Sequence, residues 1–131
     1  MKTSNLESIK ERVFSSSEAS SEDLKELLEF RKNNEFDFLL IDIREIFEYT
    51  DQSINGTDLL FPTTTLNQHI DELEKLKDKH IVLYCRTGSR TSYVLGVLKQ
   101  QMGFTKIAHL SDGIYSYRGD TSRNARIPNK L

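Results

Sequence analysis

The sequence is poor in several residue types, and each shortage excludes a class of protein. It holds one cysteine, Cys85, so it cannot form an internal disulfide framework and lacks the ligands of a Cys-rich zinc site. Only 2 Pro and 6 Gly occur among 131 residues, which excludes collagen-like and Pro/Gly-rich disordered chains. No apolar run approaches the roughly 18 residues of a bilayer-spanning helix, so we expect no membrane partner.

Charge of one sign is not in excess either. The chain carries 18 Lys and Arg against 20 Asp and Glu, a net charge of -2, which gives no indication of a nucleic-acid partner. Residues 1–10 lack the apolar segment of a secretory signal, which predicts a cytoplasmic location. With 37% hydrophobic and 29% charged residues, the composition is typical of a folded domain, and the length suits one domain.

Short apolar runs alternate with helical patterns along the chain. The predicted strands are residues 38–41, 59–61, 81–84 and 106–110. A first helix begins at a Ser20 or Ser21 cap and ends near residues 33–34, and a short aromatic helix holds Tyr115 and Tyr117. This order predicts an α/β fold with a mostly parallel central sheet flanked by helices on both faces.

Two further helices are predicted from their apolar residues. Between residues 66 and 76 these residues recur at the spacing of one helix face, which is the clearest helical pattern in the chain. The helix that follows Cys85 is apolar nearly all round and ends at Gly103, so we expect it to be buried.

Cys85 comes directly after the apolar run 81–84, where ligands bind in open α/β sheets. The loop at residues 86–90 turns into a helix, so its backbone N–H groups and the positive helix end predict an anion cradle. Arg86 and Arg90 add positive charge, and residues 79–111 contain no Asp or Glu. Such surroundings lower the pKa of a cysteine toward or below neutrality and make its thiolate a nucleophile.

Three segments resemble the motifs of the single-domain rhodaneses, a family of sulfurtransferases. Residues 85–91 (CRTGSRT) resemble the active-site loop, and residues 40–44 (LIDIR) with Glu48 and Tyr49 resemble the amino-proximal signature. Residues 109–114 (HLSDGI) resemble the carboxyl-proximal one. The three motifs occur in the order typical of the family.

The resemblance covers residues 21–119, which we take as a rhodanese-like α/β domain. Residues 1–20 are then a loose, Ser-rich N-terminal extension. Residues 120–131 are a mobile basic tail that carries Arg123, Arg126 and Lys130. The sequence departs from the family at residues 52–57 (QSINGT), where GHIPGA is frequent, and at Tyr117, where Trp is usual.

The resemblance implies sulfur transfer through Cys85 as the catalytic nucleophile. Its thiolate attacks the outer sulfur of thiosulfate or a related small anionic donor, sulfite leaves, and a persulfide forms. The sulfur then passes to cyanide in vitro, or to a thiol or sulfur-carrier acceptor in the cell. No metal or organic cofactor is implied. The residues assigned to substrate binding are those of the loop: Arg86, Thr87, Gly88, Ser89 and Arg90.

Asp42 and Arg44 follow another predicted strand, and we interpret them as a structural pair near the base of the active-site loop. Glu48 receives the same structural interpretation. The three histidines are given no catalytic role, because a thiolate that is already ionised needs no general base.

Two alternatives differ from sulfur transfer. A cysteine phosphatase or arsenate reductase has a loop of Cys, five residues and Arg, whereas only four residues separate Cys85 from Arg90. A resolving second cysteine is also absent. A regulatory or binding module is the other alternative, since a fold does not determine function.

Overall fold

The computed structural model describes residues 2–129. Its core is a sheet of five parallel strands. The strands of the protein are β1 (Glu18–Ala19), β2 (Leu39–Asp42), β3 (Ser53–Ile54), β4 (Leu59–Leu60), β5 (Ile81–Tyr84), β6 (Ile107–Leu110) and β7 (Thr121–Ser122). The spatial order in the central sheet is β1-β6-β5-β2-β4, and each neighbouring pair is parallel. The predicted α/β class is therefore confirmed.

Helices cover both faces of this sheet. They are α1 (Lys2–Ser16), α2 (Ser21–Lys32), α3 (Ile46–Asp51), α4 (Ile70–Glu74) and α5 (Ser89–Met102), with 3₁₀ helices at Thr63–His69 and Ile114–Ser116. Along β5, Val82 and Tyr84 belong to the apolar core shared with α1 and α2. Ile81 and Leu83 belong to the core shared with α4 and α5. Because both faces are buried, the strand reads as an uninterrupted apolar run.

The N-terminal segment is a helix packed on the core, not the loose extension that the Ser cluster suggested. Helix α1 presents Leu6, Ile9 and Val13 to the sheet, and all three side chains are buried. Their spacing places them on one helix face, and that face supplies part of the core. β1 follows and pairs with β6, so residues 18–19 extend the central sheet.

The C-terminal segment is also packed against the domain, contrary to the expected mobile tail. β7 pairs with β3 in an antiparallel ladder, and the Asn124 backbone N–H donates to the Thr50 carbonyl at 2.7 Å. Arg123 and Arg126 are exposed, as expected for a basic segment, whereas Lys130 lies outside the described residues. Backbone pairing, which composition does not reveal, holds this segment in place.

Two of the predicted helices differ from expectation. In place of one helix over residues 66–76, Thr63–His69 form a 3₁₀ helix and Ile70–Glu74 form the short α4. Neither begins with a side-chain cap, and β-branched Thr residues follow Pro62. Helix α5 ends at Gly103 as predicted, but only one of its faces is buried and Tyr93 is 76% exposed. Within residues 2–129, no helix has both the length and the apolar content needed to cross a bilayer.

Candidate active site

Cys85 lies at the carboxyl end of the central strand β5, and a tight loop connects it to α5. Gly88 adopts φ +98°, and a Cβ there would lie 2.0 Å from the Ser111 carbonyl oxygen. Only glycine fits this position without a shift of the backbone. The backbone N–H groups of Ile114 and Tyr115 donate to the carbonyls of Cys85 and Arg86, both at 2.9 Å. The segment at residues 111–115 therefore holds the loop from outside.

The sulfur of Cys85 is buried and surrounded by hydrogen-bond donors. The Gly88 backbone N–H donates to Sγ at 3.2 Å, and Thr91 Oγ1 lies 3.6 Å from Sγ. Burial opposes ionisation of the thiol, but hydrogen bonds from Thr91, Gly88 and Thr87 outweigh it and lower the pKa of Cys85. The loop thus favours the thiolate, as the sequence predicted, although backbone N–H groups and a hydroxyl produce the effect rather than the arginines.

The two loop arginines have different environments. Both amino groups of the Arg90 guanidinium donate to the Glu48 carboxylate, at 2.8 and 2.9 Å, which fixes α5 to α3. Arg86 is exposed and borders a cleft of about 830 Å³ that Phe47 and Tyr115 also line. The other predicted loop residues, Thr87 and Ser89, are exposed. Arg90 therefore holds the architecture of the site, and Arg86 is the arginine at its rim.

Asp42 and Arg44 form a buried ion pair beneath α3. The Arg44 guanidinium donates to both Asp42 carboxylate oxygens at 2.9–3.1 Å. It also donates to the carbonyls of Glu48 and Gln52, at 3.3 and 2.6 Å. The pair ties the end of β2 to α3, the helix that carries the partner of Arg90. Asp42 and Arg44 thus hold α3 in place, and Arg44 also lines the cleft that Arg86 borders.

Thr91 and His109 extend the site beyond the residues assigned from the sequence. Thr91 Oγ1 lies 2.7 Å from His109 Nδ1, and both residues are buried. The sequence patterns assign no catalytic role to His109, and they include Thr91 only as the last residue of the loop motif. One signal in the sequence pointed to His109, because a polar residue inside a strand buried on both faces needs a hydrogen-bond partner.

The ion pair between Glu48 and Arg90 should make the free energy of unfolding fall in acid. The hydrogen bonds from Arg90 lower the pKa of Glu48 from its ordinary 4.5 to about 2. The unfolded chain therefore takes up this proton first as the pH falls. The ion pair stabilises the fold fully at a pH above 4.5, the ordinary pKa of the carboxyl. This stabilisation is lost as the pH falls from 4.5 through the folded-state pKa of about 2. Because Arg90 is partly exposed, we expect the contribution to be about 1–2 kcal/mol at neutral pH.

Urea unfolding of the wild type and of Glu48→Gln, at neutral pH and in steps toward pH 2, measures this contribution. The variant should be less stable at neutral pH, and the difference should shrink as the pH approaches 2. Glu29→Gln is the matched control, since Glu29 is exposed. A difference between Glu48→Gln and wild type that stays constant with pH would contradict the prediction.

Comparison with known proteins agrees with this geometry. A sequence model of the Rhodanese-like domain family matches residues 20–120. The probable adenylyltransferase/sulfurtransferase MoeZ of Mycobacterium tuberculosis is 37% identical over 79 residues, which are 60% of this chain and 19% of MoeZ. The tRNA uridine(34) hydroxylase of Acinetobacter baumannii is 33% identical over 90 residues, which are 65% of this chain and 28% of the hydroxylase. The chain therefore spans less than a third of either relative.

A solved structure shares the fold. The crystal structure of a rhodanese-related protein from Thermoplasma volcanium superposes with a TM-score of 0.64 and 25% sequence identity. The superposition covers 80% of this chain and 96% of that protein. The family match at residues 20–120 contains the Asp42–Arg44 pair, Cys85 with its loop, and His109. The chain therefore belongs to the rhodanese-like domain family.

Proposed function

We propose that the protein is a sulfurtransferase that receives a sulfane sulfur from thiosulfate, or a related small anionic donor, on Cys85. The observation that carries this proposal is the Gly88 N–H bonded to Cys85 Sγ at 3.2 Å, in a loop that lowers the pKa of the thiol. A thiolate held by backbone donors is a nucleophile at neutral pH. The sulfurtransferase in the name of the MoeZ relative supports the same chemistry.

The first half-reaction forms a persulfide. The Cys85 thiolate attacks the outer sulfur of thiosulfate, and a new S–S bond forms between the two sulfurs. The S–S bond of thiosulfate breaks, and its electron pair leaves with sulfite. The negative charge of the former thiolate moves to the terminal sulfur of the persulfide, and the backbone N–H groups of residues 86–90 are the donors that we assign to it.

The second half-reaction returns the enzyme to its thiolate. An acceptor thiolate, or cyanide in vitro, attacks the terminal sulfur, and the bond to Cys85 breaks with its electron pair returning to Cys85 Sγ. The sequence has one cysteine, so no second cysteine of this chain resolves the persulfide. The acceptor is therefore an external molecule, a small thiol or a sulfur carrier.

Arg86 is the cation that we assign to the oxygens of the donor. It is exposed at the rim of the loop, where it also lines the cleft beside Phe47 and Tyr115. A guanidinium there attracts a thiosulfate dianion and neutralises the charge that builds on departing sulfite. Arg90 acts differently, because its guanidinium is bonded to Glu48 and positions the first turn of α5.

Intact-mass measurement tests the proposal directly. The reduced protein is incubated with thiosulfate and desalted, and its intact mass is measured. It is then treated with cyanide, and the thiocyanate that forms is assayed. We expect the wild type to gain one sulfur atom and to lose it to cyanide. Cys85→Ser should gain none, because a serine hydroxyl is not ionised at neutral pH and forms no persulfide. Ser92→Ala, an exposed change on α5, serves as the matched control and should gain sulfur like the wild type.

Two results of this measurement would contradict the proposal. If the wild type gains no sulfur from thiosulfate or from a protein persulfide, the sulfurtransferase proposal fails and the binding-module alternative replaces it. If Cys85→Ser gains sulfur as the wild type does, the assignment of Cys85 is wrong.

A further inference from the structure

The Thr91 hydroxyl lies at the centre of a buried hydrogen-bond cluster beside Cys85. Its Oγ1 is 2.7 Å from His109 Nδ1, 3.1 Å from the Gly88 carbonyl oxygen and 3.6 Å from Cys85 Sγ. Thr91 has no exposed surface, and His109 is 6% exposed. These three contacts therefore decide where the hydroxyl proton points.

A hydroxyl has one proton, so the protonation of His109 Nδ1 determines the choice. If Nδ1 carries no proton, the Thr91 hydroxyl donates to it, because this is the shortest of the three contacts. The Thr91 oxygen then presents a lone pair, not a proton, to Cys85. If Nδ1 carries a proton, His109 donates to Thr91 Oγ1 and the hydroxyl proton is released. It then goes to the Gly88 carbonyl or to the sulfur, and an ionised sulfur competes best because hydrogen bonds to charged acceptors are stronger.

We propose that His109 is a positioning residue for sulfur transfer: its Nδ1–H donates to Thr91 Oγ1, which directs the Thr91 hydroxyl proton to the sulfur anion of Cys85. His109 touches neither donor nor acceptor and acts only through Thr91. The inference rests on the proposed function, because it assigns a source to the stabilisation of the anion that attacks the donor. It also explains the polar residue in the otherwise apolar β6.

Burial favours the neutral form of His109, although a carboxylate lies nearby. Glu18 lies opposite it in the register of β1, and Lys99 of α5 donates to Ser17, whose carbonyl accepts the His109 backbone N–H. Burial lowers the pKa of His109, and the charge of Glu18 opposes that change. At neutral pH the imidazole is therefore uncharged, and its tautomer rather than its charge sets the direction of the Thr91 proton.

The thiolate of Cys85 can be measured alone, because the chain has one cysteine. Ultraviolet absorbance of the thiolate is followed against pH, with Cys85→Ser as the blank for tyrosine. In His109→Leu, which places an apolar side chain of similar bulk there, Thr91 Oγ1 loses the N–H that donates to it, so its own O–H becomes a weaker donor and turns more readily to the nearer Gly88 carbonyl. We therefore expect the thiolate-to-thiol ratio at a given pH to fall about threefold. His109→Asn should restore most of it, since an amide nitrogen there can still donate to Thr91 Oγ1.

A double-mutant cycle separates this role from a structural one. Thr91→Val removes the hydroxyl itself and should lower the thiolate fraction at least as much as His109→Leu does, and adding His109→Leu to Thr91→Val should change it no further. The proposal is overturned if His109→Leu titrates like the wild type, if His109→Asn is as impaired as His109→Leu, or if the His109 effect persists in the Thr91→Val background.

The same proteins show which proposal fails. If the wild type takes up no sulfur while the variants titrate in the expected order, the sulfurtransferase proposal fails and the hydrogen-bond arrangement stands. If the wild type takes up sulfur and His109→Leu titrates and loads like it, the positioning role of His109 is refuted alone.

Discussion

Gly88→Ala is expected to reduce the rate of sulfur loading on Cys85 about a hundredfold, the loss typical of removing one donor from an anion-binding loop. The backbone at Gly88 has φ +98°, and a Cβ there would lie 2.0 Å from the Ser111 carbonyl oxygen. Because that contact is with backbone, the loop must move rather than a side chain. The movement takes the Gly88 N–H away from Cys85 Sγ, which it now reaches at 3.2 Å.

Gly96→Ala is the matched control for this change. Gly96 lies within α5, and a Cβ there meets nothing within 4 Å. We expect Gly96→Ala to load sulfur at the wild-type rate. Its free energy of unfolding in urea should rise by about 0.5–1 kcal/mol, since alanine favours a helix more than glycine. Sulfur loading is timed by intact mass, and circular dichroism establishes that both variants are folded. Gly88→Ala protein that is folded and loads at the wild-type rate would contradict the assignment of the Gly88 N–H.

Arg44→Met is expected to have the largest effect on stability, about 3–5 kcal/mol. The substitution leaves the Asp42 carboxylate, which has no exposed surface, without its cation. It also removes the donor to the carbonyls of Glu48 and Gln52, so α3 loses its attachment to β2. Because a buried charge without a partner is much costlier than a buried pair, the loss exceeds that of any surface ion pair.

Urea unfolding followed by circular dichroism measures this loss. Arg123→Met, at an exposed position, is the control and should change the unfolding free energy by less than about 0.5 kcal/mol. The double variant Asp42→Asn with Arg44→Met should recover part of the lost stability, because it removes the unpaired charge. If Arg44→Met unfolds at the same urea concentration as Arg123→Met, the pair does not support the fold in the way that the geometry indicates.

The parts of the fold that the sequence predicted are those encoded locally. Strand β5 was predicted at its observed bounds, because four consecutive apolar residues bounded by polar ones suit a strand buried on both faces. Ser20 caps α2 through a capping box with Asp23, which a Ser followed by acidic residues indicates. The position of Cys85 at the end of β5 follows from the same short pattern.

The parts that were missed depend on contacts between distant segments. The Ser cluster indicated a loose segment, although the same residues include the apolar face of α1. Packing of that face against the sheet outweighs the weak helix preference of serine. Glu48 and Arg90 are 42 positions apart, and no local pattern predicts that they meet. The link from Thr91 to His109 likewise forms only when α5 packs beside β6.

The pairing of β1 with β6 has a consequence for how the chain reaches this structure. Residues 18–19 complete the edge of the sheet only by joining residues 109–110, so the edge strand cannot form until most of the domain has been synthesised. Pairing between segments so far apart raises the contact order, and folding slows as contact order rises. During that interval the apolar face of α1 has no sheet to pack against, so apolar surface stays exposed on the nascent chain and favours aggregation over folding.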